Sequence, residues 1–304
     1  VVSLVSIFFI NGLDEGVDFV GGRTFQVKFE KPVDATAVSD ELSAAFGTPV
    51  EAKILGDDDQ LKITTKYKIK EDGVAIDEEV NQILYKSLTK YFPNTSYEKF
   101  INSFDGKWIG VVQQSKVGAS ISEDIKTNSY WAVLGAMAVI FLYLMISFRK
   151  WQYSLGAIAA VAHDVIFVLG IYSLCYKFMP FHMEMDQHFI AAILTVIGYS
   201  MNDTVIVFDR IREFIIGNRK GSFEDIVNAS INTTLSRTLN TSLMMIIVLL
   251  TMFIFGGESI RGFIFAMLIG IIVGTYSSLF IATPVLVDSI SSDEKHTIED
   301  KHNK

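Results

Sequence analysis

The 304-residue chain has one cysteine, five prolines and no histidine between residues 11 and 128. A single thiol, Cys175, excludes an internal disulfide framework and a cysteine-based metal site. The formal net charge of −8 excludes a basic nucleic-acid-binding protein, so we expect no nucleic acid among the partners. The chain also has no Walker motif, nucleophile elbow or Gly-x-Gly-x-x-Gly, so its energy source must be something other than a bound nucleotide.

Charge is scarce in one part of the chain only. Residues 129–290 hold 19 charged and 98 apolar residues out of 162, whereas residues 11–128 hold 34 charged and 45 apolar out of 118. Five segments of the apolar part approach the roughly 20 residues that a membrane span needs, namely 131–148, 153–174, 189–208, 239–255 and 263–287. Pro284 is expected to kink or stop the last of these helices.

Residues 1–10 are apolar but too few to span a bilayer. We interpret them as the remnant of a first membrane helix, in a chain that is a fragment of a longer one. The predicted domains are therefore this remnant at 1–10, a domain outside the membrane at 11–128, a five-helix membrane domain at 129–290 and a tail at 291–304. Because basic residues are concentrated in alternate loops, at 149–150 and 210–220, we expect these loops and the tail on the cytoplasmic side and residues 11–128 on the opposite side.

The polar segment predicts a small α+β domain. Alternating apolar positions at Phe25, Val27 and Phe29 indicate a strand over 23–30, and further strands are predicted at 50–55, 61–69 and 107–112, with a turn at 56–59. Helical spacing predicts helices over 34–46 and 77–92, the first with Ala45 on its apolar face. The order β-α-β-β-α-β is that of a ferredoxin-like domain. The predicted fold class is thus an all-α membrane bundle with an α+β ferredoxin-like domain outside the membrane.

A further helix is predicted over 225–239, where it would lie at the inner membrane interface and run on into the fourth span. Ser222 and Asp225 have the spacing of a helix N-cap. Ile226, Ile231, Leu235 and Leu239 mark its apolar face, with Asn, Ser and Thr elsewhere. Gly270, Gly274 and Ser278 form a small-residue face on the last span, which favours close contact between helices.

Two carboxylates inside predicted spans are the main candidates for function. A charge at the centre of a span costs about 2.5–3.5 kcal/mol on insertion scales, so such residues face water or a partner. Asp203 reads either as a protonatable group in an ion path or as a permanently neutral or paired carboxyl that holds helices together. Asp164 carries the same two alternatives, and its neighbour His163 is better explained as a packed side chain.

Arg237 and a histidine-containing loop carry weaker signals. Arg237 is either a counter-charge for Asp203 or an interfacial arginine that only sets topology. His182 and His188, with Glu184 and Asp186, match no helical metal motif and are better explained as a solvated loop, so no metal site is predicted. The pair His163 and Asp164 likewise lacks a third metal ligand or a nucleophile, which argues against a membrane-embedded hydrolase.

Several motifs resemble those of the SecF family. Gly16-Val17-Asp18-Phe19-Val20-Gly21-Gly22 is similar to its Asp-Phe-x-Gly-Gly signature, with Asp18, Gly21 and Gly22 at the turn. His163-Asp164-Val165 is similar to its His-Asp-Val motif, and the block from Val196 to Glu213, which contains Ser200-Met201-Asn202-Asp203-Thr204, is its most recognisable stretch. Leu235-Ser236-Arg237-Thr238, Phe255-Gly256-Gly257-Glu258 and the segment from Gly270 to Ser278 continue the likeness, which covers residues 11–288 in order.

This resemblance implies six membrane spans, the first truncated here, and a non-enzymatic role. SecF is the partner of SecD or, in the form we favour for this chain, the C-terminal half of a fused SecDF protein related to RND transporters. Such proteins work with the SecYEG channel in the bacterial inner membrane and use the proton gradient to draw unfolded preproteins across to the periplasm. The resemblance also implies a proton path through Asp203 and Arg237, which we extend to the candidate Asp164 and to Asn202 and Thr204.

No bound cofactor is expected; the coupling ion is a proton, with sodium as the alternative because a carboxylate suits both. The competing hypothesis is one half of an RND-type proton-coupled transporter for a small molecule or lipid. A large apolar pocket would favour that hypothesis, whereas a shallow polar cleft would favour export.

Overall fold

A computed structural model describes residues 2–71, 73–102, 109–179, 181, 183–217 and 221–291. Its N-terminal part contains α1 (Val2–Val5) with a π-helical turn at Ser6–Ile10, α2 (Val17–Val20), β1 (Gly22–Lys28), α3 (Ala35–Phe46), β2 (Val50–Leu55), β3 (Asp57–Thr65), α4 (Val74–Leu88), α5 (Tyr97–Ile101) and β4 (Gly110–Val117). Its helical part contains α6 (Ala119–Phe148), α7 (Trp151–Cys175), α8 (Gln187–Ile216), α9 (Phe223–Phe255), α10 (Glu258–Ser277), a π-helical turn at Ser278–Ala282 and α11 (Thr283–Ser289).

The four strands form one antiparallel sheet in the order β2-β3-β1-β4. The chain order β-α-β-β-α-β follows the prediction, with the short helix α5 as an unpredicted addition before β4. The hairpin between β2 and β3 is tighter than expected, because β3 already begins at Asp57 where a turn over 56–59 was predicted. Strand β4 begins at Gly110 and extends to Val117, and residues 107 and 108 of the predicted strand lie outside the described residues.

One face of the sheet packs against α3 and α4 and forms the core of this domain. Phe25, Val27 and Phe29 are buried in it, as their alternation predicts. On α3 the predicted Ala45 is exposed, and Phe46 is buried in its place. A large ring one residue further along the helix fills the space under the sheet that a methyl group would leave empty.

Arg23 is the unexpected member of this buried face, with none of its surface exposed. Its guanidinium donates hydrogen bonds to the Asp77 carboxylate at 2.9 and 3.1 Å and to the Tyr67 carbonyl at 2.8 Å. Lys116 donates to the same Asp77 oxygen at 3.0 Å. Partial burial acts to raise the pKa of Asp77, but the hydrogen bonds and charges of Lys116 and Arg23 outweigh it and hold that pKa below its ordinary value.

This pKa predicts an acid-dependent loss of stability. A carboxyl whose pKa is lowered by folding contributes stability above its unfolded pKa of about 3.9, and that contribution is lost as the pH falls through the folded pKa. Asp77→Asn should therefore lower the free energy of unfolding at pH 7 by less than about 1 kcal/mol, because the carboxyl is partly exposed. The measurement is the urea midpoint of protease resistance, which should fall accordingly. At pH 3 the free energies of unfolding of the variant and the wild type should be closer to each other than at pH 7. Asp40→Asn, at an exposed position, is the control. A difference in stability between Asp77→Asn and the wild type that is the same at pH 7 and at pH 3 would contradict the prediction.

Five helices of the described part are long and apolar enough to cross a membrane: Ala119–Phe148, Trp151–Cys175, Gln187–Ile216, Phe223–Phe255 and Ile260–Ser289. They contain the five segments that hydropathy predicts. α6 runs without a break across residue 128, where a domain boundary was predicted. The last span does not stop at Pro284, which occupies the first turn of α11 after the π-helical turn, a position where its missing N–H costs little.

Helix α9 begins and extends as predicted, and three of its four predicted inward positions, Ile226, Ile231 and Leu235, are buried or partly buried. Ser222 and Asp225 form a capping box at its start, and the helix is continuous to Phe255. Leu239, however, is 49% exposed, and the buried positions include a stripe of hydroxyl residues at every fourth place, Ser230, Thr234, Thr238 and Ser242. In lipid there is no hydrophobic advantage in burying leucine, so the small side chains, which let helices approach closely, occupy the contact.

The sheet domain is tied to the start of α8. Gly16 donates its backbone N–H to the Met185 carbonyl at 2.9 Å, and Met185 donates to the Asp14 carbonyl at 2.7 Å. Lys62 forms an ion pair with Glu184 at 2.7 Å, and Lys53 pairs with Asp14 at 3.0 Å. These backbone and side-chain contacts join the open face of the sheet to the loop before the helix that carries Asp203.

Candidate functional site

Asp203 lies on α8 in the interior of the bundle, with 0% of its surface exposed. Its Oδ2 accepts a hydrogen bond from Ser242 Oγ on α9 at 3.3 Å, and Oδ1 is buried without a hydrogen-bond partner among the described residues. Ser242 in turn lies 2.7 Å from Thr275 Oγ1 on α10. No ion pair to Asp203 is present in the described ranges, so hydroxyl groups form its polar surroundings.

Asp164 is buried on α7, with 1% of its surface exposed. Its Oδ2 accepts hydrogen bonds from Ser200 Oγ on α8 at 2.7 Å and from Ser277 Oγ on α10 at 2.8 Å. Oδ1 lies 3.2 Å from Nδ1 of the neighbouring His163, whose ring is partly exposed. The carboxylate therefore joins three helices through side-chain hydrogen bonds.

A third set of hydroxyls lies between the two carboxylates. Thr204, the residue after Asp203, is fully buried and contacts Ser278 Oγ at 2.9 Å. Ser278 Oγ reaches the Ser200 carbonyl at 3.1 Å, which connects this pair to the helix turn that also bonds Asp164. Asp164, Asp203 and Thr204 are thus brought together in one hydroxyl-lined interior.

The close contact of α8 and α10 is made at the predicted small residues. A Cβ at Gly274 would lie 2.9 Å from the Ser200 Cβ and 3.5 Å from the Asp164 carboxylate, and one at Gly270 would clash with the Val196 side chain. Only glycine lets the α10 backbone approach the carboxylate this closely.

Two of the predicted relay residues lie elsewhere. Asn202 and Arg237 are both exposed on the surface of the bundle, Asn202 on α8 and Arg237 on α9. Within the described residues the structure places no ion pair between Arg237 and Asp203, because the arginine lies on the outward face of its helix. Five residues, or about 7.5 Å of helical rise, separate it from Ser242.

The turn around Asp18, Gly21 and Gly22 joins the sheet domain to the bundle. Asp18 Oδ2 accepts a hydrogen bond from the backbone N–H of Gln187 at 3.1 Å, at the N-terminus of α8. Gly21 has φ +75° and Gly22 has φ +156°, conformations that residues with a side chain rarely adopt. A Cβ on Gly22 would also lie 3.1 Å from Val17 and 3.2 Å from the Thr65 carbonyl.

A cavity of about 250 Å³ lies between the open face of the sheet, the loop before α8 and the first turns of α8 and α10. Its lining is largely polar and includes Thr24, Gln26, Lys62, Gln113, Ser115, Asp18, Glu184, Asp186 and His188. Burial raises the pKa of Asp186, against the effect of the hydrogen bond that its carboxylate accepts from the Phe189 N–H at 2.8 Å. In the described ranges no group of three His, Cys, Asp or Glu residues could hold a metal ion, and His182 lies outside them.

The hydroxyls around the carboxylates were not predicted as site residues. They are Ser200, Ser242, Thr275, Ser277 and Ser278. Two signals in the sequence point to them: the four-residue spacing of Ser230, Thr234, Thr238 and Ser242, and three hydroxyl residues among Thr275–Ser278 inside an apolar span. Both patterns place polar side chains on one helix face where lipid would leave them unsatisfied.

This chain is a multi-pass membrane protein of the protein-export class. Residues 97–292 match the family described as "Protein export membrane protein SecD/SecF, C-terminal", and residues 6–33 match the "SecD/SecF GG Motif". The chain belongs to the SecD/SecF family, and within it to SecF.

The similar curated proteins carry the name "Protein translocase subunit SecF". The relative from Rhodothermus marinus is 42% identical over 290 residues, which cover 94% of this chain and 86% of the relative. The relative from Petrotoga mobilis is 36% identical, over 96% of this chain and 91% of the relative.

A solved structure supports the same fold. The crystal structure of SecDF from Thermus thermophilus, described as a translocon-associated membrane protein, matches with a TM-score of 0.74 at 30% identity. The match covers 94% of this chain and 36% of the SecDF chain, so the present chain spans about a third of that protein.

Proposed function

We propose that this chain is an accessory subunit of the Sec translocase in the bacterial inner membrane. It uses the proton-motive force to promote the translocation of unfolded preproteins and their release on the periplasmic side. The observation that carries this proposal is the pair of buried carboxylates, Asp164 and Asp203, surrounded by hydroxyls and without a basic partner for Asp203 in the described structure. A carboxylate buried inside a membrane bundle is costly to ionise even when hydroxyls bond it, so its proton occupancy responds to the packing of the helices around it.

The proposed proton path centres on Asp203, with Asp164 as the second proton-binding group. Thr204 lies beside it in the interior, whereas Asn202 and Arg237 lie on the bundle surface, where a second membrane domain could complete the path. SecD, as a separate subunit or as the other half of the same chain, is the proposed source of that domain. The proposed partners also include the SecYEG channel and the preprotein, and sodium is the alternative coupling ion.

The arrangement of the chain supports a topology with the sheet domain outside the cytoplasm. Arg210 and Arg212 lie on the side of the bundle opposite to the sheet domain, where Arg212 reaches the Ser147 carbonyl at 3.3 Å. Such an excess of basic residues is typical of cytoplasmic loops. The strand order β2-β3-β1-β4 supports a ferredoxin-like domain. Ser6 Oγ lies 2.8 Å from Ser173 Oγ on α7, which supports the assignment of residues 2–10 to a sixth membrane segment.

The alternative proposal, one half of an RND-type transporter for a small molecule or lipid, requires an apolar binding cavity. The cavity between the sheet and the bundle has mainly amide, hydroxyl and charged side chains in its lining, together with the apolar Val17, Leu55, Phe189 and Phe263. The polar groups suit the peptide backbone and polar side chains of an extended polypeptide. At this cavity the lining favours export. A more apolar depression of about 500 Å³ on α8 and α9, where a lipid or drug would bind under the alternative, is lined by Tyr199, Met244, Met245 and Val248.

The experiment that tests the proposed function is preprotein translocation into membrane vesicles that contain SecYEG and SecD, with and without this chain. We expect that adding the chain raises the yield of translocated preprotein only when a proton gradient is present. A sodium gradient imposed without a proton gradient distinguishes the two coupling ions. Equal translocation with and without the chain, at every gradient, would reject the proposal.

A further inference from the structure

The segment Thr275–Ser278, at the end of α10 and the start of the following π-helical turn, bonds one buried carboxylate directly and is linked to the other through Ser242. Thr275 Oγ1 lies 2.7 Å from Ser242 Oγ, the hydroxyl that donates to Asp203. Two residues on, Ser277 Oγ donates to Asp164 at 2.8 Å. Ser278 Oγ, one residue further, contacts Thr204 beside Asp203. Neighbouring hydroxyls of a single helix therefore link two acidic groups that lie on two other helices.

Each of these hydroxyls has one proton and two acceptors within reach. Ser277 Oγ lies 2.8 Å from Asp164 Oδ2 and 3.1 Å from the carbonyl of Gly274 on its own helix. Thr275 Oγ1 lies 2.7 Å from Ser242 Oγ and 2.9 Å from the carbonyl of Ile271. A hydroxyl can donate its single proton well to only one acceptor at a time.

The protonation of a carboxyl decides between the two acceptors. Hydrogen bonds to an ionised carboxylate are about twice as strong as those to neutral acceptors. The Ser277 hydroxyl therefore donates to Asp164 when that carboxyl is ionised. A protonated carboxyl is a weaker acceptor and also a donor, so the hydroxyl can turn back to the carbonyl of its own helix. Protonation of Asp203 likewise changes the hydrogen bond that Ser242 donates to it, and thereby the bond that Thr275 donates to Ser242.

The segment lies at a point where the helix is irregular. Ser278 is the first residue of the π-helical turn Ser278–Ala282, and the Thr283 hydroxyl bonds the Ser278 carbonyl at 3.2 Å across it. Gly274 on the preceding turn packs against Ser200 of α8. π-Helical turns occur often at functional sites.

We infer that Thr275, Ser277 and Ser278 are positioning residues that couple Asp164 to Asp203 through α10. A proton gained or lost at one carboxyl changes the acceptors of these hydroxyls, and with them the hydrogen bonds available to the other carboxyl. The titratable groups that face the cluster in the described structure are Asp164 and His163 on α7 and Asp203 on α8, while α9 contributes hydroxyls. The inference rests on the proposed proton-coupled function and deepens it.

Infrared difference spectroscopy of the full chain, reconstituted in lipid with SecD, tests this coupling. The carbonyl stretch of each protonated carboxyl reports its hydrogen bonds, and Asp164→Asn and Asp203→Asn assign the two bands by loss. When Asp203→Asn is the only substitution, we expect the frequency of the Asp164 carbonyl band to differ from its value in the unsubstituted chain. In the double variant Thr275→Val, Ser277→Ala we expect this shift to disappear, because the linking hydroxyls are gone.

Matched controls separate coupling from a general change in packing. Thr251→Val with Ser289→Ala removes two hydroxyls whose hydrogen bonds, among the described residues, are to carbonyls of their own helix, and it should leave the shift intact. Thr275→Ser keeps the hydroxyl and should retain the shift, which also shows that the site is correctly folded. An Asp164 band that ignores Asp203→Asn, or a shift that persists in the Thr275→Val, Ser277→Ala background, would overturn the inference.

The test is independent of export. The spectra are recorded without a gradient or preprotein, so they report coupling between the carboxyls even if export does not depend on this chain. Conversely, export that needs Asp203 while its replacement leaves the Asp164 band unchanged would sustain the proposed function and reject the coupling.

Discussion

Replacing Asp203 with Asn should abolish the stimulation of preprotein export by the proton gradient. Asparagine has nearly the same size and keeps a carbonyl oxygen that can accept the hydrogen bond from Ser242, now 3.3 Å from the carboxylate. It cannot bind or release a proton under these conditions, so only the chemistry of the site is lost. We expect translocation to fall to the level seen without a gradient and proton conduction to fall to the background of the vesicles.

The measurement compares translocation yield and pH changes inside vesicles for the wild type and the variant, with equal amounts of assembled complex. Asp209→Asn is the matched control, because Asp209 lies on the same helix but is exposed. It should leave both quantities at wild-type values. Wild-type export and proton conduction in Asp203→Asn would remove this carboxyl from the proposed path.

Replacing both Gly21 and Gly22 with Ala should have the largest effect on the assembly of the sheet domain. Gly21 has φ +75° and ψ 157°, a region of backbone conformation used almost only by glycine. Holding another residue there costs about 1–3 kcal/mol. At Gly22 the added methyl group would also press on Val17 and on the carbonyl of Thr65 in the neighbouring strand.

The expected result is a lower thermal midpoint of the full chain in detergent and faster proteolysis within residues 22–117. Export should fall as well, since the same turn places Asp18 against the N-terminus of α8 at 3.1 Å from the Gln187 nitrogen. Gly118→Ala serves as the control, because Gly118 has φ −67° and an added Cβ there would meet no neighbouring atom within 4 Å. Equal midpoints for the double variant and this control would show that the two glycines are not required for the turn.

The order and approximate positions of the main helices and strands can be predicted from patterns in the sequence alone. Five apolar segments of spanning length predict the five long helices, because hydrocarbon thickness sets a minimum length. The alternation of Phe25, Val27 and Phe29 predicts β1, and the Ser222–Asp225 spacing predicts where α9 begins. Charged residues are scarce inside the spans, which singles out Asp164 and Asp203. A carboxyl inside a membrane is energetically unfavourable, so its presence there indicates a functional role.

The inward contacts of α9 were decided only by the tertiary structure, whereas the small-residue face of α10 was predicted from the sequence. Hydropathy places Leu239 on the inner face of α9, yet the hydroxyl stripe is inside and Leu239 is exposed. A leucine side chain is as well solvated by lipid as by protein, so hydrophobicity gives no direction within the membrane. Close packing and hydrogen bonding set the direction instead, and both depend on neighbouring helices.

At the candidate site, too, some features follow from the sequence and others only from the packing of neighbouring helices. Sequence by itself determined that Asp203 and Asp164 are the costly groups, because residue type and distance from the span ends are enough for that conclusion. Only the tertiary structure decided that Ser200, Ser242 and Ser277 hold them and that Arg237 faces outward. At the candidate site, hydrogen bonds between helices join residues 33 to 113 positions apart, as from Thr275 to Ser242 and from Ser277 to Asp164, and no local pattern records such contacts.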